Sequence, residues 1–329
     1  MKIRLGIIGT GIAARELHLP ALQNLKDKFE ITMVCNHSEQ KANEFSKLVG
    51  GVPYVLDYHE MLKNQEVDAV DIILPIELNL TFTKDALEAG KHVIVEKPIA
   101  SNIADAKLMD GFPNNYKQVM MVAENYRYNP LFGRIKGMIH DGAIGEPYSV
   151  LWDQLTVMDT DNKYAKTKWR IDHQYPGGFV TDAGVHNIAA LRDIFGEIKS
   201  GVAFTRSVNP AIGKMDSMSF SFVFESGVNG IFNLYFSAQG IDENRLMIFG
   251  KGGTLVIAEN KIVLKRRGKP DVAESVRTDG GYQRQFEDFY DCIVNGKEPV
   301  STFHEAYKDF RTILAALDSA NKWEMHSLY

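Results

Sequence analysis

Along this chain of 329 residues the apolar positions change period once, near Pro130, and that change limits the fold more than any single motif. Before it, continuous apolar runs at 3–8, 31–35, 69–74, 92–95 and 118–122, with a weaker one at 54–56, alternate with amphipathic stretches such as 38–49 and 79–89. Short runs that are apolar on both faces, separated by helical patterns, are what a parallel sheet covered on both sides requires. Gly90 follows the second amphipathic stretch, where a helix end favours a residue free to take positive φ. After Pro130 one further helical pattern, 131–140, ends at Asp141-Gly142, and strict alternation takes over at 217–225 and 228–237. Alternation with period two means strands with one wet face, and turn signals at Ser226-Gly227, 250–253 and Arg267-Gly268 space them as a meander. Helical patterns at 283–295 and 304–320 close the chain.

The expected architecture is therefore an α/β Rossmann-type domain over 1–125, with a doubly wound parallel sheet. An α+β domain with a large, mostly antiparallel open sheet follows over 126–329, its C-terminal helices packing back on the first domain. Lys plus Arg (37) against Asp plus Glu (42) leaves a net charge of −5, so no basic excess favours nucleic acid as a partner. Cys35 and Cys292 lie far apart without Cys-x-x-Cys spacing, which fits a reducing compartment. No apolar run reaches membrane-spanning length and no secretory h-region opens the chain, so a cytoplasmic protein is expected.

The strongest local signal is Gly9-Thr10-Gly11-Ile12-Ala13-Ala14, which follows the first apolar run and opens a helical pattern. In a dinucleotide fold Gly9 permits the tight turn and Gly11 lets the backbone approach a pyrophosphate. Ala14 permits close packing of helix on strand, and the helix N-terminus offers N–H groups to the anion. At the tip of the second strand, where an acid normally binds the ribose 2′-hydroxyl, stand Asn36, His37 and Ser38, followed by Lys41. Neutral donors and one cation suit a 2′-phosphate, so NADP(H) is expected in preference to NAD(H), which remains a possible cofactor.

Two further constellations carry chemistry. In Val95-Glu96-Lys97-Pro98 a buried strand stops on a charged pair and a proline, at the carboxyl end where open parallel sheets place ligands. In the segment 177–186, Asp182 and His186 stand four apart, so at helical spacing they share a face and the carboxylate can orient an imidazole that moves a proton near neutral pH. By contrast His304-Glu305 begins like a zinc-protease motif but has Lys308 where the second histidine would stand, so no metal is expected. His18, ahead of Leu19-Pro20, takes no role from the sequence alone.

Together these motifs resemble the glucose-fructose oxidoreductase / inositol dehydrogenase / rhizopine-catabolism family, known as Gfo/Idh/MocA. The resemblance runs the length of the chain: the glycine loop, Glu96-Lys97-Pro98, the run 123–127, Trp169-Arg170, Gly177-Gly178, Asp182, His186 and Tyr282. It implies Lys97 as the substrate-polarising lysine, aimed inward by a cis Lys97-Pro98 bond at the stop of the buried strand, with Asp182 and His186 at the positions of the catalytic carboxylate and histidine. It implies nucleotide contacts from Gly9, Thr10, Gly11, Ile12, Ala13, Leu74, Pro75, Asn79, Glu96, Lys97 and Asn125 beside the strand-tip residues. Substrate contacts are implied from Tyr126, Trp169, Arg170 and Tyr282 with the catalytic three. One departure is Ala189, which stands where many sugar and inositol dehydrogenases carry an acid three positions after the histidine.

The function this implies is hydride transfer between a nicotinamide and a secondary alcohol or ketone carbon of a sugar, polyol or related small molecule. A diol dehydrogenase and a non-catalytic, cofactor-binding regulator of the same fold are the alternatives. A homodimer or homotetramer through the second-domain sheet is also implied. The trios Phe220, Phe222, Phe224 and Phe232, Leu234, Phe236, each on one sheet face by two-residue spacing, are the expected contact.

Overall fold

The structure is a computed structural model that describes residues 1–322 and the backbone of His326 and Ser327. Its contacts divide the chain into two compact units, Met1–Tyr128 with Gly281–Tyr307, and Asn129–Gly280 with Lys308–Tyr329. The division falls three residues later than 125, and it gives 281–307 to the first unit instead of leaving 126–329 as one block.

The first unit is built on six parallel strands: β1 (Ile3–Ile8), β2 (Phe29–Cys35), β3 (Tyr54–Val55), β4 (Ala69–Ile72), β5 (His92–Glu96) and β6 (Met120–Ala123). They lie in the order β3-β2-β1-β4-β5-β6, so the chain reverses direction across the sheet between β1 and β4. A crevice outside the carboxyl ends of the strands at such a reversal is where open α/β sheets bind ligands. Helices cover both faces, which is why β4 and β6 are buried at every position. Phe286 and Phe289, on the helix Tyr282–Asn295, join the core of Ile3, Leu5, Ile7 and Phe29. The Phe29 ring lies 5.9 Å from Phe286 and 6.5 Å from Phe289, which is what attaches the late segment to the first unit.

The second unit holds β7 (Pro147–Leu155), β8 (Ile198–Arg206), β9 (Ser217–Phe224), β10 (Asn229–Tyr235), β11 (Glu243–Gly250), β12 (Gly253–Ala258), β13 (Lys261–Lys265), β14 (Val272–Ser275) and β15 (His326–Ser327). These form a sheet in the order β14-β13-β12-β11-β7-β10-β9-β8-β15, antiparallel throughout except between β7 and β10. One face is a core layer of Val150, Trp152, Phe220, Phe222, Phe224, Phe232, Leu234, Leu246 and Ile248. The helix Phe179–Phe195 packs on it so closely that a Cβ on Gly184 would lie 3.3 Å from Leu234 of β10, and 2.6 Å from Ile313 of the helix Phe303–Lys322.

The phenylalanine trios therefore do not face a second subunit. Phe220, Phe222, Phe224, Phe232, Leu234 and Phe236 are buried within the chain, and helices of the same chain cover that face. The opposite face carries Leu151, Val202, Phe204, Ile231, Met247 and Val256, of which Phe204 is 56% and Ile231 45% exposed.

Two buried polar centres hold this unit. Asp216 accepts from the N–H groups of Val208 and Asn209 and from the hydroxyls of Ser217 and Ser237, tying the loop before β9 to the chain after β10. Arg192, near the end of the helix Phe179–Phe195, donates to Glu197 at 2.7 Å and to Asp309, and Lys308 reaches Glu197 at 3.1 Å. Burial alone would raise the Glu197 carboxyl, but these cations overcome it and bring the group down to about 2. Among the described residues no helix is long and apolar enough to cross a membrane.

Candidate active site

The glycine turn stands at the end of β1. Gly9 has φ +96°, and a Cβ there would sit 2.1 Å from the carbonyl oxygen of Ile73, so no other residue fits. Gly11 is exposed, with nothing within 4 Å of the place its Cβ would occupy. That open ground, at the start of a helix that begins with Ile12 and Ala13, suits a pyrophosphate lying against backbone N–H groups. Thr10 and Ala14 are buried beneath the loop, and Leu74 and Pro75, half-buried, follow β4 on the other side of the reversal. The residues present thus fit a dinucleotide.

At the tip of β2 the Asn36 amide donates to the Thr10 hydroxyl at 2.9 Å, while its carbonyl oxygen accepts from the Ser38 N–H at 2.9 Å. Asn36 is consequently spent on joining the strand tip to the glycine loop. Ser38 caps the helix Glu39–Leu48, and His37 and Lys41 are exposed. Lys41 is not the only full positive charge nearby. Arg15 donates from Nε to the Thr10 carbonyl at 3.1 Å, lies 3.6 Å from Glu44, and places its guanidinium 5.5 Å above the Phe45 ring. Its position four residues after Gly11, one turn into the helix, was the available sequence signal.

The Lys97-Pro98 peptide is cis, as the sequence reading expected. Asn79, expected among the nucleotide contacts, has a different place. It is fully buried and donates 2.9 Å hydrogen bonds to the carbonyls of both Glu96 and Pro98, so it clamps the turn from within. Glu96 accepts from the Lys97 N–H at 3.0 Å with one oxygen and meets His18 Nε2 at 2.9 Å with the other. His18 Nδ1 meets Asp71 of β4 at 2.8 Å. Burial alone would lower the His18 pKa, but the Asp71 and Glu96 carboxylates overcome it and push it up to about 10. Burial pushes Asp71 up as well, against the pull of His18. The His18, Asp71 and Glu96 cluster was missed because the two carboxylates lie 53 and 78 positions beyond His18 along the chain.

Asn125, buried, begins the turn Asn125–Tyr128 after β6, and Tyr126 donates its N–H to Glu124 at 3.1 Å. Burial, then the Glu124 charge, pushes the Tyr126 phenol up to about 12. Tyr282 opens the helix Tyr282–Asn295 with its ring 6.2 Å from that of His18.

In the second unit Gly177 and Gly178, with φ of 81° and 50°, turn the chain into the helix Phe179–Phe195, which carries both Asp182 and His186. Asp182, expected to orient His186, gives a carboxylate oxygen to Arg170 Nε at 2.8 Å. The Arg170 guanidinium stacks 4.0 Å from the Trp169 ring and 5.1 Å from the Tyr164 ring, and donates to the Thr167 hydroxyl at 3.1 Å. The segment 156–168 thereby contributes Tyr164 and Thr167 to the surroundings of Arg170. Ala189 is fully buried, so an acid there would be a buried charge.

Residues 3–124 match the oxidoreductase family with an NAD-binding Rossmann fold, Gfo/Idh/MocA, and residues 132–256 match the GFO/IDH/MocA C-terminal domain. The chain belongs to the Gfo/Idh/MocA family. It is thereby an NAD-binding oxidoreductase. An oxidoreductase from Thermotoga maritima of known structure is 40% identical, superposes with a TM-score of 0.94, and is covered over 99% of its length by all of this chain. An uncharacterized protein of Saccharomyces cerevisiae is 35% identical over 261 residues, which are 78% of this chain and 74% of that one. A D-apiose dehydrogenase of Paraburkholderia graminis is 26% identical over 233 residues, 71% of this chain and 60% of its own.

Within this Gfo/Idh/MocA member the first unit brings together the glycine loop, the strand tip and the Glu96-Lys97-Pro98 turn. The second unit brings together Trp169, Arg170 and Asp182, with His186 one turn further along the same helix. The zinc-like His304-Glu305 pair is divided between partners, His304 with Asp110 at 2.9 Å and Glu305 with Arg127 at 3.4 Å.

Proposed function

We propose that this oxidoreductase moves a hydride between the nicotinamide and a secondary alcohol or ketone carbon of a sugar, polyol or related small molecule, with Lys97, Asp182 and His186 as its catalytic groups. The bound dinucleotide supplies or accepts the hydride. The observation that carries the reading is the turn at the end of β5, where Asn79 and Glu96 fix the lysine backbone at the carboxyl end of a dinucleotide-binding sheet. An ammonium held there stabilises the charge that develops on a substrate oxygen. In the oxidising direction His186 takes the hydroxyl proton, and in the reducing direction it returns it. Asp182, one helical turn away and braced by Arg170, orients the imidazole or completes the proton relay. Tyr126, Trp169, Arg170 and Tyr282 line the substrate. The D-apiose dehydrogenase relative supports the sugar class.

A panel of sugars and polyols followed by nicotinamide absorbance tests the proposal. On the substrate found, His186→Ala and Lys97→Ala are each expected to lower turnover about a hundredfold or more while the dinucleotide still binds. Near-normal turnover in either variant removes that residue from the mechanism, and dinucleotide binding with no turnover across the panel would favour the regulator.

NADP(H) is the preferred cofactor in this reading. The strand tip carries no acid to repel a 2′-phosphate, and Arg15 and Lys41 supply cations nearby. Both are solvent-accessible, so the preference is about tenfold and weakens as salt rises. Asn36→Asp is expected to reverse it in a titration with both cofactors. Tighter NADH binding by the wild-type protein contradicts the assignment.

The exposed face of the second sheet meets a second copy of the chain. Val263, Val256, Met247, Leu151 and Ile231 lie side by side across five strands on it. Light scattering at micromolar concentration should give a dimer or tetramer, and Ile231→Glu a smaller species.

A further inference from the structure

We propose that His18 is a positioning residue, a doubly donating imidazolium held between Asp71 and Glu96 that fixes, through Glu96, the peptide carrying Lys97. The inference rests on the reading of Lys97 as the substrate-polarising group and adds two residues, His18 and Asp71, that support it without touching substrate.

The argument begins with hydrogen-bond inventory. A neutral imidazole has one N–H and one lone pair, yet both ring nitrogens of His18 stand within 2.9 Å of carboxylate oxygens. With two ionised carboxylates as partners, only the cation donates to both. His18 is 1% exposed and Asp71 fully buried, and Asp71 Oδ1 finds no hydrogen-bond partner among the described residues, so His18 is the group that offsets its charge. The edge of the imidazole meets the Phe286 ring at 5.3 Å, and Tyr282 lies on the same side. The groups facing His18 are thus Asp71 from β4, Glu96 from β5, and Tyr282 and Phe286 from the late helix. Low polarity there strengthens the attraction and makes loss of either partner costly.

Local backbone geometry serves the same end. His18 closes a π-helical turn, Ala14–His18, in which the Leu19 N–H reaches back to the Ala14 carbonyl. Such turns put one extra residue into a helix and collect at functional positions, because they rotate a side chain away from where an α-helix would aim it. At the other end of the cluster, the second Glu96 oxygen accepts the Lys97 N–H while Asn79 holds the Glu96 and Pro98 carbonyls. Removing the imidazolium takes away the donor that holds one Glu96 oxygen in place and so loosens the grip of the other oxygen on the lysine amide.

The test has arms that do not depend on activity. In protein with ¹⁵N-labelled histidine, the His18 ring, assigned by its loss in His18→Gln, is expected to show two protonated nitrogens at pH 8. A single protonated nitrogen overturns the inference. Hydrogen exchange at the Lys97 amide is expected to rise about tenfold or more in His18→Gln and in Asp71→Asn, with Val93–Val95 unchanged. Unchanged exchange at Lys97 in a folded variant also overturns it, and the near-isosteric Asp71→Asn serves if His18→Gln does not fold. On an identified substrate, His18→Gln is expected to lower kcat about tenfold in the wild-type background and to have no further effect in Lys97→Ala. Equal losses in both backgrounds mean that His18 does not act through the lysine. Full turnover by Lys97→Ala instead removes the lysine reading and leaves the charge and exchange results to stand by themselves.

Discussion

The two sheets solve the same problem of burial in opposite ways. In the first unit β4 and β6 are buried at every position, whereas β9 and β10 alternate between buried and accessible residues along their length. A sheet covered on both faces has only its ends left for chemistry, and the glycine loop, the strand tip and the Lys97 turn all follow the carboxyl ends of strands. A sheet with one open face can carry its polar chemistry on the helix that covers the other, as the helix Phe179–Phe195 does with Asp182 and His186. Where function can sit is thus set by which surface the core leaves over.

The largest test of this contrast is Gly9→Ala. With φ +96° and a carbonyl 2.1 Å from the new methyl group, the turn after β1 must rearrange, and dinucleotide affinity is expected to fall more than a hundredfold by fluorescence titration. Retained affinity would mean that the strand end does not organise the loop. Next in size is the difference between the two faces of β10. Phe232→Ala, in the buried layer, is expected to cost about 3–5 kcal/mol in chemical denaturation, and Ile231→Ala, its exposed neighbour, less than about 1 kcal/mol in the isolated protomer. Similar costs at both positions would erase the distinction between the faces.

The remaining tests concern pH, and the expected trends have opposite signs in the two units. The His18 pKa is raised to about 10, so the stability it contributes is full below its ordinary value of 6.5 and is lost as pH climbs from there through 10. Glu197 is lowered to about 2, so its contribution is full above 4.5 and is lost as pH falls from there through 2. Hydrogen exchange across pH should therefore loosen the first unit at the alkaline end and the second at the acid end. His18→Gln is expected to flatten the first trend and Glu197→Gln the second. A shared loss at one end would show that other groups dominate.

The elements whose period is unambiguous were legible in the sequence: β1 begins and ends at 3–8 as expected, and β9, β10 and the late helices differ by a residue or two. The turn at Gly9, the cis bond at Lys97-Pro98 and the placing of Asp182 and His186 one turn apart on a helix were legible because each lies within a local pattern. What failed was everything that depends on which face receives a cover. Two-residue spacing puts Phe220, Phe222 and Phe224 together, but it does not say whether a helix or a neighbour lies against them. Asn79 failed for a related reason, since an asparagine that clamps two carbonyls from below and one that touches a nucleotide have the same sequence signature. His18, Asp71 and Arg15 gain their roles from partners brought close only by folding.

The helix Phe179–Phe195 is tied at one end by Arg192 to Glu197 and Asp309 and bears Asp182 and His186 towards the other. Those two ends answer to different constraints as sequences diverge. A change at Arg192 strands the buried Asp309 carboxylate, and a change at Asp182 strands the largely buried Arg170 guanidinium, so each must be compensated at its own partner. The two ends can therefore diverge separately, each in step with its own partner, without renegotiating the rest of the fold.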